Sequence, residues 1–409
     1  MNFGKIIKYH RRIQNLTQAE LSEGICSVSH LSKIENKNTE VDNEIILLLL
    51  KKLTLSLDDI VLIDKKIFDE LNEFINAILF YDLKTAGTIN KSLIEKEELI
   101  SQTEYIYLYH LYQYRYYLFS NDIEQAIVKK KFLAQFLKVL SPFELDLYRY
   151  FNALFLLQTE QYDEALASIK LVEKENSLSL NFLGDLNYHI ALIHSIIKNN
   201  SFAIMYGHKA LVEYTREYNF IRTLHAQILL SINYSELGLY EDALELYKPL
   251  LRNTLLTGQT SLLSTIHHNL AYLYEKKGEL SKAIIHYELS LNNNQKNDMY
   301  YKTLYNLTEV LYRQGKKKEA LIKIKDLLKY TDNKNHRIYF LQSKYLYYLL
   351  NENQPKAIDF LEKTMIPYLE QNNDKEGYYK YLLHLVDFYK DRDSKKAFYY
   401  CELLHNKGE

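Results

Sequence analysis

The stretch Ile266–Leu291, IHHNLAYLYEKKGELSKAIIHYELSL, predicts two antiparallel helices joined by a tight turn. Apolar residues such as Ile266 and Leu270 recur at helical spacing and form one apolar face. Gly278 ends the first helix, because glycine adopts the left-handed conformation without a clash from Cβ. Ala283 is small, which suits the place where the two helices cross. Since one helical hairpin cannot bury both of its faces, neighbouring hairpins must cover it.

The pattern around Ala283 recurs along the chain. An alanine that follows a polar turn returns at intervals of 37 to 40 residues. The other alanines in this phase are Ala86, Ala126, Ala165, Ala203, Ala243, Ala320, Ala357 and Ala397. Such regular spacing predicts an array of stacked helical pairs, in which each pair contacts only its neighbours.

The inner pattern of the best units resembles the tetratricopeptide repeat. Ala271 in the first helix, Gly278 at the turn, and then Ala283 and Tyr287 in the second helix carry this resemblance. The intervals are longer than the usual period of about 34 residues, and the chain contains no tryptophan. The resemblance implies a superhelix whose concave face is lined by the first helix of each pair.

Composition limits the classes of function. The 409 residues carry a formal net charge of −1, so any contact with DNA must come from a local basic patch. Cys26 and Cys401 form no disulfide framework, which is typical of a reducing compartment. The N-terminus lacks the apolar core of a secretory signal, and no run of about 18 apolar residues predicts a membrane span. We therefore expect a cytoplasmic protein with no membrane partner.

Residues 1–63 do not follow the repeat and predict five short helices. Thr17 and Glu20 form a capping box, which starts the second helix. Gly24 then ends that helix, and Ser27 caps a third. Two short helices joined by a turn that contains glycine predict a helix-turn-helix motif.

The run Gln18-Ala19-Glu20-Leu21, together with the third-helix sequence VSHLSKIEN, resembles the Xre/Cro/phage-repressor family. This resemblance implies that Gln18 binds a DNA phosphate and that Val28, Ser29 and Lys33 read base edges. Chemistry agrees, since a lysine can donate to guanine O6 and N7. The alternatives are that Ser27 is only a helix cap and that Lys33 is a solvated charge.

The first helix is basic, so we also expect phosphate contacts from it. Serine and histidine side chains at the start of the third helix can donate hydrogen bonds to phosphates or bases. The predicted DNA-binding residues are Arg11, Arg12, Gln18, Ser27, Val28, Ser29, His30 and Lys33.

The remaining chain predicts a linker helix over residues 64–80 and the repeat array over residues 81–409. The tyrosine-rich stretch 103–119 favours a strand by propensity. It lies where the repeat requires a first helix, so we predict a helix there. The predicted fold is therefore all-α: an N-terminal five-helix helix-turn-helix domain, followed by a right-handed α-solenoid of about nine tetratricopeptide-like hairpins.

Asn269 and Asn306 recur at one phase of the first helices, each fourteen residues before a repeat alanine. Related repeats use this place to hold a peptide backbone, and one amide can satisfy a peptide N–H and a C=O together. Lys302 shares the face of Asn306 and can take a carboxylate. The alternative is that both asparagines cap or cross-link helices. The predicted peptide-binding residues are His225, Asn233, Asn269, Lys302, Asn306 and Arg313.

Motifs for catalysis are missing from the sequence. It contains no phosphate-binding loop, no HExxH and no His/Cys cluster at zinc spacing. We therefore predict no enzymatic activity, no cofactor and no metal site.

An Xre-type head on about nine long repeats resembles the peptide-pheromone-responsive regulators of Gram-positive bacteria, the Rap/Rgg/NprR/PlcR/PrgX family. Length and unit count are similar to those of its NprR subgroup. The resemblance implies a quorum-sensing transcription regulator that is a homodimer, binds a double-stranded DNA operator, and is switched by a short signalling peptide on the concave face.

Two alternatives stay open. One is a Rap-like interaction scaffold that binds or dephosphorylates a response regulator, with a glutamine such as Gln102 or Gln113 in the reaction. The other is a phage-encoded regulator of lysis and lysogeny of the AimR kind. A capped helix-turn-helix head distinguishes the transcription regulator from a pure interaction scaffold.

Overall fold

A computed structural model describes residues 3–36, 42–55, 57–292, 296–331, 336–372 and 374–406. Within these ranges every regular element is helical, which confirms the predicted all-α class. The chain divides into two compact units, Met1–Leu237 and Gly238–Glu409. None of the described helices combines the length and the apolar character needed to cross a membrane.

The first unit contains the head and the first part of the array. From α5 onward its helices pack as antiparallel neighbours, with α8 against α9, α10 against α11 and α12 against α13. Its helices are α1 Phe3–Ile13, α2 Gln18–Ser22, α3 Val28–Asn36, α4 Asn43–Lys52, α5 Leu57–Leu79, α6 Leu83–Glu95, α7 Glu97–Ser101, α8 Ile106–Phe119, α9 Ile123–Ala134, α10 Pro142–Gln158, α11 Tyr162–Glu175, α12 Leu183–Ile196, α13 Asn200–Arg216 and α14 Phe220–Glu236.

The second unit continues the pairing, with α16 against α17, α18 against α19 and α23 against α24. A single π-helical turn, Leu361–Met365, joins α21 to α22. Its α-helices are α15 Tyr240–Leu256, α16 Thr260–Lys276, α17 Leu280–Asn292, α18 Asp298–Arg313, α19 Lys317–Thr331, α20 Arg337–Leu350, α21 Gln354–Phe360, α22 Ile366–Gln371, α23 Lys375–Tyr389 and α24 Ser394–Asn406.

The turn between paired helices has the same geometry along the chain. At eight of the nine predicted places, the residue five positions before the repeat alanine has a positive φ, between 56° and 80°. These residues are Tyr81, Asn121, Glu160, Lys198, Gly238, Gly278, Gly315 and Glu352. The repeat alanines themselves are buried. Both features confirm the predicted phase, because a left-handed turn and a small crossing residue are what a tight helical hairpin requires.

The tyrosine-rich stretch is helical, as predicted from the repeat phase. It forms α8, in which every residue from Ile106 to Arg115 is buried. A helix that is covered all round shows no amphipathic pattern. The β-propensity of its residues alone therefore favours a strand, whereas burial on all sides stabilises the helix.

The head contains the predicted turn chemistry. The Glu20 N–H donates to Thr17 Oγ1 at 3.2 Å, and the Thr17 N–H donates to Glu20 Oε2 at 2.6 Å. The His30 N–H donates to Ser27 Oγ at 3.1 Å, which makes Ser27 the cap of α3. Gly24 has a φ of 76° at the turn between α2 and α3. The capping box and the helix-turn-helix geometry are thus confirmed.

The apolar residues of α1 differ in burial: Ile6 and Ile7 are buried, whereas Ile13 is 51% exposed. The predicted fifth head helix and the predicted linker helix form the single helix α5, so the chain continues as a helix past residue 63. Residues 57–79 contain neither glycine nor proline, so nothing in the backbone chemistry interrupts the helix.

Candidate functional site

Helix α3 presents the predicted base-reading side chains on the outer surface of the head. Val28 is 46% exposed, and Ser29 and Lys33 are also exposed. Leu31 and Ile34 on the opposite side are buried in the head core. An exposed polar face on the second helix of this motif is the surface that enters the major groove in DNA-binding members of the class. For Ser27, Val28, Ser29, His30 and Lys33, DNA contact stays a prediction.

Arg11 lies inside the head, so its predicted phosphate contact is wrong. Its Nε and Nη2 donate to the two carboxylate oxygens of Glu35 at 2.5 and 2.8 Å. Both residues are buried, so the guanidinium neutralises a carboxylate that water does not reach. Gln18 is half-buried, and its Nε2 donates to Glu35 Oε2 at 2.8 Å, which engages the amide that was predicted to hold a phosphate.

The other basic side chains of α1 face protein as well. Lys8 is buried and donates to Asn36 Oδ1 at 2.7 Å, and this burial lowers its pKa. Lys5 forms an ion pair with Glu144 of the array at 2.6 Å. Arg12 donates to the Gln135 carbonyl and lies 5.4 Å from the Phe136 ring centroid. Lys5, Lys8 and Arg11 are thus engaged where α1 packs against α3 and the array, whereas Arg12 is exposed and its phosphate contact stays a prediction.

A cavity of about 400 Å³ lies among first helices of the array in the first unit. Leu118, Leu154 and Leu157 supply apolar walls, and Arg115 and Arg222 supply guanidinium groups. Both arginines are buried, at 6% and 4% exposure. A cavity of this size with a few charged groups among apolar ones is the usual form of a small-ligand site.

Asp185 is the counterion of both arginines. Arg115 Nη2 donates to Asp185 Oδ2 at 3.1 Å, and Arg222 Nη2 donates to Oδ1. The Tyr150 hydroxyl donates to Oδ2 at 2.7 Å. Burial by itself raises the pKa of Asp185, but Arg222, His189 and Arg115 together hold it well below the usual range. The carboxylate is therefore ionised at neutral pH.

The histidines of the cavity are neutral. Burial lowers the pKa of His189 to about 4, against the opposing effect of Asp185. Its Nδ1 lies 2.7 Å from the carbonyl oxygen of Asp185, an acceptor, so Nδ1 carries the ring proton. Burial, with Arg222 beside it, lowers the pKa of His225 to about 4 as well.

The cavity has an excess of positive charge. Two guanidinium groups face one carboxylate, and both imidazoles are neutral. Arg115 Nε is buried and has no hydrogen-bond partner among the described residues. An unpartnered buried donor on a charged group costs free energy, so Asp185 does not fully compensate the two guanidinium groups. The geometry therefore suits a carboxylate or another small anionic group.

The sequence prediction found one lining residue of this cavity, His225, which is half-buried and lies edge-on to Tyr81 with 4.7 Å between ring centroids. It missed Arg115, Asp185 and Arg222. Their signal in the sequence is the scarcity of charge in these helices: Arg115 and Asp185 are the single Asp, Glu, Lys or Arg residues of α8 and α12, and α14 adds to Arg222 only Glu236 at its last position. Charged residues in such places are buried only when they are paired.

Asn233 is a structural residue, so its predicted peptide contact is wrong. It is fully buried. Its Nδ2 donates to Ser195 Oγ at 3.0 Å and to the Leu229 carbonyl at 2.7 Å. This amide cross-links two first helices, and the alternative weighed for the asparagines applies here.

Asn269 and Asn306 lie on adjacent first helices of the second unit, α16 and α18. Contact between these helices includes a hydrogen bond of 2.8 Å between His268 Nδ1 and Thr303 Oγ1. Both asparagines are half-buried. The Asn306 side chain interacts with the hydroxyl of Tyr287. The structure therefore brings the two predicted amides to neighbouring helices and leaves each partly open to solvent.

Two basic residues accompany the amide pair. Lys302 is exposed, one helical turn before Asn306. Arg313 donates to Glu275 Oε1 at 2.5 Å and is 44% exposed, so its charge is already compensated by a carboxylate. Of the two, Lys302 is the better placed to accept a ligand carboxylate.

Residues considered for catalysis do not form a catalytic group. Gln113 is 1% exposed, which closes it to a protein partner, and its Nε2 faces Asn90 Oδ1 at 3.4 Å. Gln102 is half-buried at the end of α7. Among the residues that the structure describes, no group of three or more His, Cys, Asp or Glu side chains is able to hold a metal ion.

The buried ion pair between Arg11 and Glu35 predicts a large effect on stability. Arg11→Ala leaves Glu35 buried without its counterion, which costs about 3–5 kcal/mol. Thermal and urea unfolding, followed by circular dichroism, measure this loss. The double variant Arg11→Met/Glu35→Leu removes both charges and should recover most of it, because apolar replacements of a buried pair are often neutral. Wild-type stability for Arg11→Ala would contradict the buried pairing.

Known proteins resemble the chain in both parts. A helix-turn-helix family model matches residues 7–60. The transcriptional activator NprA of Geobacillus stearothermophilus is 28% identical over 397 residues, which cover 92% of this chain and 95% of NprA.

Two solved structures show the same fold. The apo form of the quorum sensor NprR from B. thuringiensis has a TM-score of 0.73 at 22% identity and covers 84% of this chain and 99% of its own. NprR in complex with its cognate peptide NprX has a TM-score of 0.67 at 24% identity, with 83% and 98% covered.

These matches agree with the architecture of the chain. The head has the capped turn of an Xre-type helix-turn-helix, and the array has the left-handed turns and buried alanines of tetratricopeptide-like pairs. Similarity to NprA extends over nearly the whole of both chains. Together these features support the resemblance of the chain to the Rap/Rgg/NprR/PlcR/PrgX family.

Proposed function

We propose that the chain is a transcription regulator, which binds double-stranded DNA through α3 and is switched by a short signalling peptide bound to its repeats. The observation that carries this proposal is the exposed reading face of α3 on a chain whose array has the fold of peptide-bound NprR. Similarity to the activator NprA supports the same assignment.

The DNA contact rests on a small surface. Val28, Ser29 and Lys33 are exposed on one side of α3, while the cations of α1 are engaged by protein groups. Few phosphate contacts give weak binding by a single head. We therefore propose a homodimer whose two heads read two half-sites. Light scattering at micromolar concentration tests this, and a monomer both with and without DNA would contradict it.

Replacement of Lys33 should change sequence preference. Lysine donates to guanine O6 and N7 in the major groove, and such a contact contributes about 1–3 kcal/mol of discrimination. Selection of duplexes from a random library should therefore give Lys33→Ala a relaxed preference at one base pair of each half-site. Lys51→Ala is the matched control, since Lys51 is exposed on α4 outside the reading helix. The same selected sequence for Lys33→Ala and wild type would rule out this base contact.

A bound peptide needs partners for two kinds of polar group, its backbone N–H and C=O groups and its carboxylates. An extended peptide carries an N–H and a C=O at every residue, and these need partners wherever they are buried. In the second unit, Asn269 and Asn306 offer amides on adjacent helices, with Lys302 beside them for a carboxylate. In the first unit, Arg115 and Arg222 offer a cavity for an anionic group. We propose that the amide pair with Lys302 binds an acidic or carboxylate-terminated peptide, and that the cavity by itself takes a small anionic group.

Loss of either half-buried asparagine, Asn269 or Asn306, should weaken peptide binding. An unmade buried hydrogen bond costs about 1–3 kcal/mol, which corresponds to about tenfold or more in Kd. Co-purification followed by mass spectrometry identifies the peptide, and calorimetry then compares Asn269→Ala and Asn306→Ala with wild type. Both variants should keep the helical content of the free protein.

Asn233→Ala is the control for this prediction. Its amide is buried and bonded to Ser195 and Leu229, so the variant should lose thermal stability. If Asn269→Ala and Asn306→Ala behave like this control, with lower stability and unchanged affinity, the peptide site lies elsewhere on the array.

A further inference from the structure

Helix α1 belongs to two apolar cores. Ile6 and Ile7 are fully buried in the core of the head, together with Leu21 and Leu31. Tyr9, on another side of the same helix, is 6% exposed and packs into the core that extends from α5 to α12. The head is therefore not tethered to the array by chain connectivity alone, because one of its helices is part of the packing of the array.

Polar contacts join α1 to three array helices. The Tyr9 hydroxyl lies 3.3 Å from His110 Nε2 on α8, and the Tyr9 ring is stacked on Phe136 with 6.1 Å between centroids. Lys5 forms its ion pair with Glu144 on α10, and the two side chains are 14% and 6% exposed. His10 Nε2 donates to the carbonyl of Ser101 on α7 at 2.9 Å.

The hydrogen-bond pattern around His110 is directional. Lys129 Nζ is a donor and lies 3.2 Å from His110 Nδ1. The ring proton is therefore on Nε2, and it is donated to the Tyr9 hydroxyl. His110 is 2% exposed, and burial beside Lys129 holds its pKa well below the ordinary value. The contact with Tyr9 is thus made by a neutral, fixed ring.

Helix α1 also contacts the C-terminal end of α3. Arg11 binds Glu35 in α3 with two hydrogen bonds, and Lys8 donates to Asn36 at the last position of α3. Each of these contacts is buried or half-buried. A displacement of α1 therefore cannot leave α3 in place without breaking a buried ion pair, and loss of one partner of such a pair is strongly unfavourable.

Helix α8 connects this contact to the cavity. His110 and Arg115 are five residues apart on α8, which corresponds to about 7.5 Å along the helix axis. His110 contacts Tyr9 of the head, and Arg115 lines the cavity. A rigid helix that carries both groups moves them together.

We propose that α1 is a latch that couples the repeats to the DNA-reading helix. It fixes α3 to the array through Lys5, Tyr9 and His10 on one side and through Lys8 and Arg11 on the other. A change at Arg115 shifts α8, loosens the hold on Tyr9, and so frees α1 together with α3. The proposal rests on the proposed function only where it assigns DNA reading to α3.

Hydrogen–deuterium exchange of the full chain, without DNA or peptide, tests the latch. Lys5→Gln and Glu144→Gln each remove the ion pair, and glutamine at 144 can keep the capping box with Ser141. Amides of α1 and α3 should exchange about tenfold faster or more in both variants, since each removes the opposite charge from the contact between α1 and α10. Lys131→Gln, at an exposed lysine of α9, is the control and should leave these rates unchanged.

The double variant Lys5→Gln/Glu144→Gln distinguishes the loss of one shared ion pair from two independent local effects of the substitutions. With a shared ion pair, its effect on α3 should be smaller than the product of the two single effects. Exchange in α16–α19 reports in the same sample that each variant is folded. Unchanged exchange of α1 and α3 in both single variants would overturn the latch, whatever the chain does with DNA.

Arg115→Gln tests the connection through α8. It alters the cavity without touching α1, and the account predicts faster exchange of α1 and α3. Arg149→Gln is the matched control, because Arg149 also pairs with a buried aspartate, Asp146, but lies outside the cavity. Changes confined to α8 and α12 in Arg115→Gln would overturn the coupling. DNA binding plays no part in this measurement, so its outcome is independent of the proposed function.

Discussion

The array depends on one constraint: a helical hairpin has two apolar faces and can bury only one of them by itself. Fully buried alanines such as Ala243 and Ala283 let the two helices of a pair approach closely. Left-handed turns, at Gly278 and at non-glycine residues such as Glu160, return the chain at the required angle. An L-residue in this conformation costs about 1–2 kcal/mol, so packing of the stacked pairs must exceed that cost at each such turn.

The head also has an apolar side chain that its own core does not bury. Its own core is small, and α1 gains further burial by placing Tyr9 in the core of the array. Two basic residues of α1 are then neutralised by carboxylates, Arg11 by Glu35 and Lys5 by Glu144. Helix α1, whose sequence predicts a DNA-binding surface, consequently packs against both α3 and the array. This leaves α3 as the exposed polar surface through which the head is proposed to meet DNA.

Much of the fold could be predicted from the sequence, because repeat spacing and turn chemistry are local. The alanine phase, the capping box at Thr17 and the helical state of α8 all follow from residues close together in the chain. The partner of a charged side chain cannot be predicted from residues close to it in the chain. Arg11 and Lys33 are both basic, and only the tertiary structure shows that Arg11 is buried and Lys33 is exposed. Asn233 and Asn269 differ in the same way. The cavity brings together Arg115, Asp185 and Arg222 from three helices, and no local pattern predicts that meeting.

The central claim is that one chain joins peptide recognition by the repeats to DNA reading by α3. The most direct measurement is the affinity of the full chain for a duplex that it has itself selected, by fluorescence anisotropy, with and without the peptide that co-purifies with it. The account predicts that saturating peptide changes this affinity by about tenfold or more, which corresponds to a coupling free energy of at least about 1.4 kcal/mol. Equal affinities in the two conditions, with both ligands shown to bind, would contradict the account.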